Sequence, residues 1–265
     1  MRAVVLALAL LGTPAAPPAP SAPLPESPAA IAAALEQATS SLRVAIDAWQ
    51  AGPRADGNTP RNISLWALRQ QRLYLALTYD AELERRAWPL LGRDARETLD
   101  ARRALVRLTP PTRRPPSSFR TGLAAPAASL LRWYREAERR FGVDWEVLAA
   151  INFVESGFGR LRSSSSAGAQ GPMQFLPATW RAYGLGGDVH EPRDAILGAA
   201  NYLRASGATR DLRRALYAYN HSTRYVDAVA RFATQMRREE RIYFAYQAWQ
   251  VFIKTPSGPV RITGP

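Results

Sequence analysis

Residues 144–159 read DWEVLAAINFVESGFG, and the fold turns on how this stretch is read. Val147, Leu148, Ile151 and Val154 recur at a spacing that places them on one face of an α-helix. Asp144 is a reasonable N-cap, and Ser156-Gly157 ends the helix at once. Glu155 follows Ile151 by four residues and Leu148 by seven, so it borders the apolar face. A carboxyl there is partly desolvated, which favours its neutral form and raises its pKa. A proton donor poised near neutral pH beside a loop is suited to breaking a glycosidic bond. On position alone, an ordinary glutamate exposed at a helix C-terminus is the stronger reading.

The residues that follow are ESGFGRLRSSSSAGAQGPMQF, from Glu155 to Phe175, and no other acidic residue appears before Asp188. Working outward, SLLRWYREAERRFG is an amphipathic helix ended by Gly142. Pro177 and Pro192 sit where first helical turns start. Ile196, Ala199, Ala200 and Leu203 keep helical spacing up to Gly207, and further helices are expected over 211–219 and 225–249. VFIKTPSGPVRIT reads as two short extended pieces around a Pro-Ser-Gly turn. Upstream, Ile31, Leu35, Leu42, Ile46 and Trp49 mark one helix, with two more over 65–87 and 94–108. PPTRRPP, residues 110–116, looks like a stiff linker between this region and a catalytic unit with its own core. The fold class is mainly α.

Composition narrows the chemistry. The chain has no cysteine and only His190 and His221. Thiolate catalysis, disulfides and cysteine-bound zinc are excluded, and no metal or cofactor is expected. The formal charge is +13, carried by arginine except at Lys254, which favours an anionic polymer as partner. The arginines are scattered without interleaved aromatics, which argues against nucleic acid. Met1-Arg2 followed by AVVLALALL resembles a secretory signal, too short to span a bilayer. The expected organisation is a signal peptide over 1–22, a helical region with proline-rich flanks over 23–116, a catalytic domain over 117–250 and a tail over 251–265. An extracytoplasmic, wall-associated protein without a stable transmembrane anchor follows.

ESGFG, SAGAQGPMQFLPATW and ALYAYN together resemble the three motifs of the soluble-type lytic transglycosylases. These are relatives of goose-type lysozyme in glycoside hydrolase family 23, and the GPMQF version is similar to the actinobacterial branch. The resemblance runs from about Leu130 to Ala233. It implies a lysozyme-like α-helical catalytic domain, preceded here by a small helical region, that acts on peptidoglycan glycan strands.

By the same resemblance Glu155 is the sole catalytic acid and base. A typical glycosidase uses two carboxylates. The resemblance implies one that protonates the oxygen between N-acetylmuramic acid and N-acetylglucosamine. It then takes the proton of the muramyl C6 hydroxyl as a 1,6-anhydro ring closes. Gln174 is expected to hydrogen-bond sugar over Met173 as an apolar floor. Tyr219 is expected to contact Glu155, and Asn220 to contact substrate. The family serine falls on Ser165 counted from Gly-Ala, or on Ser164 counted from the glutamate. Arg160 and Arg162 flank this loop and suit either carboxylates or plain solvent. A lysozyme-like hydrolase on the same fold is the alternative, and an idle peptidoglycan-binding protein is the alternative of another class.

Overall fold

The structure, a computed structural model, describes residues 16–53 and 57–265. The charged start and apolar run of the expected signal peptide lie outside the described residues. Among the described residues no helix is long and apolar enough to cross a membrane.

The mainly α architecture expected of a lysozyme-like unit is what the chain has. Eleven α-helices are followed by one hairpin among the described residues. Helices α1 (Pro28–Gln50), α2 (Arg61–Tyr79), α3 (Ala81–Ala87) and α4 (Arg93–Leu108) come first. Helices α5 (Ala127–Phe141), α6 (Trp145–Ser156), α7 (Pro177–Tyr183), α8 (Pro192–Ala205) and α9 (Leu212–Tyr219) follow. Then come α10 (Thr223–Arg238), α11 (Glu240–Gln247) and the antiparallel strands β1 (Phe252–Thr255) and β2 (Gly258–Arg261).

Two helices expected to be continuous are broken. The 65–87 stretch divides at Asp80, whose extended backbone lets its carboxylate accept the Leu83 N–H at 2.9 Å and cap α3. The 225–249 stretch divides at Glu239, also extended at φ −152° and ψ 108°. Its carboxylate is held in a fork by Arg43 Nε and Nη2 at 3.0 and 2.7 Å, so a contact from α1 accompanies the turn into α11. Asp144 sits at the N-terminus of α6 without making the capping bond. Glu138 Oε1 accepts the Trp145 N–H instead, and Asp144 pairs with Arg237.

The expected independence of the catalytic unit does not match the packing. Side chains of α1–α4 and of α5–α11 form one continuous apolar core. Helix α4 lies against α10, and α1 against α11. The polar groups inside this contact are paired across it. Gln71 Nε2 donates to the Gln250 carbonyl at 2.7 Å, and the Gln250 N–H donates to Gln71 Oε1 at 2.8 Å. Trp249 Nε1 donates to Gln70 Oε1 at 3.0 Å. At the rim, Arg238 binds Asp94 and Glu97, and Arg241 binds Asp47. The 110–116 segment is tied down as well: the Thr112 N–H donates to the Lys254 carbonyl, and Lys254 Nζ donates to the Val106 and Thr109 carbonyls.

Candidate active site

Helix α6 is anchored along its length before it delivers Glu155. Asn152 is fully buried, and Phe153 packs among Phe158, Phe232, Tyr246 and Trp249 at centroid distances of 5.0–5.8 Å. Tyr246 and Trp249 are the same rings whose polar atoms meet Thr98 and Gln70 from the first four helices. The acid's helix is therefore braced through aromatic packing by the N-terminal region. Gly157 then ends the helix in the left-handed region at φ 58°, where a side chain would also meet Val251.

Ser156 supplies the connection between the helix end and the next motif. It is 2% exposed, its hydroxyl donates to the Pro172 carbonyl at 2.5 Å, and it accepts the Gly159 N–H at 2.8 Å. The Gly171–Gln174 turn is thereby pinned to the end of α6, beside Glu155 in the chain. Gln170 and Phe175 close that turn with reciprocal backbone hydrogen bonds of 2.8 Å. Gly171 has φ 73°, and a Cβ on it would stand 1.9 Å from the Val189 carbonyl oxygen, so only glycine fits. Gln174 has φ 50°, an unusual backbone for a residue with a side chain, and the strain falls at the residue expected to read sugar. Its amide nitrogen donates to the Gly171 carbonyl at 2.9 Å.

Two tyrosines are electrostatic neighbours of the carboxyl. Tyr219, at the end of α9, was expected to contact Glu155 directly. Its hydroxyl instead donates to the Met173 carbonyl at 2.7 Å, tying a third motif to the same turn. The charge of Glu155 still raises the Tyr219 pKa, after burial, so the two are electrostatic neighbours. The hydroxyl aimed at Glu155 belongs to Tyr225 of α10, whose ring lies parallel to Tyr219 at 6.4 Å. Tyr225 is buried and makes no hydrogen bond of normal length, so its contact with the carboxyl is a long one. Its sequence setting, the start of an amphipathic helix, gave no sign of this role.

The electrostatic balance at Glu155 is simple. The side chain is half-buried, and desolvation pushes its pKa up to about 7, while the Tyr225 hydroxyl favours the carboxylate and pulls the other way. Tyr225→Phe should therefore raise the pKa of Glu155 further. The alkaline limb of a pH–rate profile is expected to move to higher pH, and an unmoved limb would show that Tyr225 does not act on the acid.

The other expected site residues are placed less directly. The Met173 side chain is fully buried, so it supports the turn from below and offers no exposed floor. Asn220 caps the end of α9 with its side chain unpaired among the described residues. Within the serine run, Ser163 is buried and accepts the Arg120 N–H at 2.8 Å. Ser165 accepts the Ala167 and Ala169 N–H groups and closes its own loop, whereas the exposed Ser164 has no hydrogen bond among the described residues. Arg160 is half-buried, its pKa lowered by burial to about 10.

Of the carboxylates flanking the site in sequence, Glu146, Asp188 and Asp194 are engaged, whereas the exposed Glu191 has no side-chain hydrogen bond or ion pair among the described residues. Glu146 is buried at the start of α6, 3.6 Å from Arg237. It lies nine residues before Glu155, about 13.5 Å along the helix axis. Asp194 accepts the Asp188 N–H at 3.0 Å and Asp188 accepts the His190 N–H at 2.8 Å, so both serve their own loop. No group of three potential metal ligands exists among the described residues.

The helix that carries Glu155 and the Gly-Pro-Met-Gln turn tied to it both lie within a stretch that is similar to a known family. Residues 132–243 match the Transglycosylase SLT domain. A stretch of 70 residues is 39% identical to the membrane-bound lytic murein transglycosylase F of Thiobacillus denitrificans (strain ATCC 25259 / T1). That stretch covers 26% of this chain and 14% of the relative's length. No solved structure matches the chain.

Proposed function

We propose that this protein is a peptidoglycan lytic transglycosylase of the family 23 type, with Glu155 as its single acid and base. The observation that carries the reading is the Glu155 carboxyl at the end of a helix tied to the Gly-Pro-Met-Gln turn, with desolvation pushing its pKa up to about 7. A two-carboxylate glycosidase needs its second group roughly 5–9.5 Å away. Glu146, Asp188 and Asp194 are held by other partners, which favours a nucleophile supplied by the substrate.

In the first step, protonated Glu155 donates to the glycosidic oxygen as the bond from muramyl C1 breaks. In the second, the resulting carboxylate accepts the proton of the muramyl C6 hydroxyl, whose oxygen bonds to C1. Glu155 ends protonated, and water is not consumed. A pKa near 7 suits both halves, because the group must lose and regain a proton in each cycle. Gln174 and Asn220 are the side chains that bind sugar beside the acid, and Ser164 is the serine free to do so.

The competing reaction is hydrolysis on the same fold, and digestion of sacculi in heavy-oxygen water separates the two. Products should carry 1,6-anhydromuramic ends, about 18 mass units lighter than hydrolysed ends, without incorporated label. Label in new muramyl ends would make water the nucleophile and the protein a lysozyme. An extracytoplasmic location and retention on the anionic wall by the +13 charge complete the proposal.

A further inference from the structure

Two stretches free of acidic residues meet beside the end of α6. Residues 101–135 and 156–187 contain no aspartate or glutamate. An isolated antiparallel bridge joins them at Thr121 and Leu161. The Gly122 N–H donates to the Arg160 carbonyl and the Arg162 N–H to the Arg120 carbonyl, each at 2.9 Å. The Leu161 N–H in turn donates to the Ser156 carbonyl at 2.9 Å. The seam between the two stretches therefore begins one hydrogen bond from the residue that follows Glu155. It runs on to Ser163, whose hydroxyl accepts the Arg120 N–H at 2.8 Å.

This pairing sets Arg120 and Arg162 opposite each other, and like charges directly across a ladder repel. Both are exposed, and neither has an ion pair among the described residues. Each guanidinium is nevertheless held in place. Arg120 Nη2 donates to the Arg162 carbonyl at 3.3 Å, and Arg162 Nη2 donates to the Leu123 carbonyl at 3.4 Å. The Arg162 guanidinium lies flat on Gly122, where a Cβ would stand 2.3 Å from its Cζ. A guanidinium has more N–H donors than these bonds use. Beside Arg120 in the chain, the Phe119 ring carries a third cation, Arg114, at 4.4 Å. Two opposed, positioned cations with spare donors and no acid in either stretch form a receptor for an anion. Their planar forks match a carboxylate.

We infer that Arg120 and Arg162 together bind the peptide-stem carboxylates of the glycan strand that Glu155 cleaves. In naming that occupant the inference rests on the proposed function. Uncharged N-acetyl sugars offer such a pair nothing, whereas a strand seated at Glu155 brings its stems with it. Arg120 lies outside residues 132–243, so the segment that precedes the matched domain supplies half of the contact.

The test is calorimetric titration in the full-length Glu155→Gln background, which binds without cutting. The ligands are soluble peptidoglycan fragments whose stems carry free carboxylates, and the same fragments after amidation. Free carboxylates should tighten binding at least ~10-fold, as expected for charged hydrogen bonds. Arg120→Ala with Arg162→Ala should abolish that advantage. Gly122→Ala keeps both charges but displaces the Arg162 guanidinium, so it should reduce the advantage even if the double change disturbs the strap. Arg139→Ala with Arg210→Ala removes the same charge from exposed positions on other elements and should leave the advantage intact. Equal binding of free and amidated fragments overturns the inference. So does an advantage that survives loss of both seam arginines, or one lost equally with Arg139 and Arg210. Stronger binding of poly(glycerol phosphate) at the same two arginines would also overturn it, by assigning the seam to a phosphate polymer. The heavy-oxygen digestion reads the chemistry of Glu155 and this titration reads binding alone, so either can fail without the other.

Discussion

Glu155→Gln is expected to lower lytic activity on sacculi by at least ~100-fold, the lower end for loss of a general acid and base. Glutamine keeps the shape and the hydrogen-bonding capacity but can neither donate nor recover a proton. The same substitution should alter stability in the opposite sense. Burial raises the folded-state pKa of Glu155 to about 7, well above its value in an unfolded chain. Between about pH 4.5 and 7 the folded state holds a proton that the unfolded state has lost, so wild-type stability falls as pH rises through that window. Glutamine resembles the neutral acid and removes this dependence. Denaturant unfolding should therefore find Glu155→Gln more stable than wild type at pH 8, with the gap closing towards pH 4.5. Near wild-type digestion by a folded mutant would refute the assignment of the acid. Equal stability at both pH values would show that the carboxyl is not desolvated.

How much of this was legible beforehand depends on the range of the interaction. The extent of α6 and its stop after Ser156 are local and are found as read, but residues 145–152 are all buried, so the helix is enclosed on every side and not along one face. The glycine stop at Gly142, the prolines opening α7 and α8, and the terminal hairpin are local too. Asp80 carried a signal that helical periodicity overrode: an aspartate ahead of Ala-Glu-Leu is a cap. Glu239 carried none, since the RREER run around it looks helical and its turn is accompanied by Arg43, 196 residues away. Tyr225 was invisible for a similar reason. Both tyrosines could serve an acid, and only the three-dimensional path of α9 and α10 gives Tyr219 to the Met173 carbonyl and Tyr225 to Glu155.

The boundary near residue 117 is where sequence and structure differ most, and it leads to the second large effect. A fragment spanning 117–265 is expected to fail to fold, although its proline-rich start resembles a linker. In the intact chain Phe232, Phe244, Tyr246 and Trp249 are each at most 4% exposed. Trp49 of α1 packs edge-on against Phe244 at 5.8 Å, and Tyr74 of α2 meets Trp249 at 5.6 Å. Uncovering several such side chains costs roughly 1.5–3 kcal/mol each for full exposure, on the same scale as a domain's entire stability of about 5–15 kcal/mol. The polar atoms that α1–α4 satisfy, including both bonds between Gln71 and Gln250, must find water instead. Tyr246 and Trp249 also hold Phe153, two residues before Glu155, so a fragment that stayed compact would still present its acid on a loosened helix. Circular dichroism and size-exclusion chromatography should show aggregation or a non-cooperative thermal transition. A soluble, cooperatively unfolding fragment that digests sacculi at the full-length rate would show that α5–α11 need no cover.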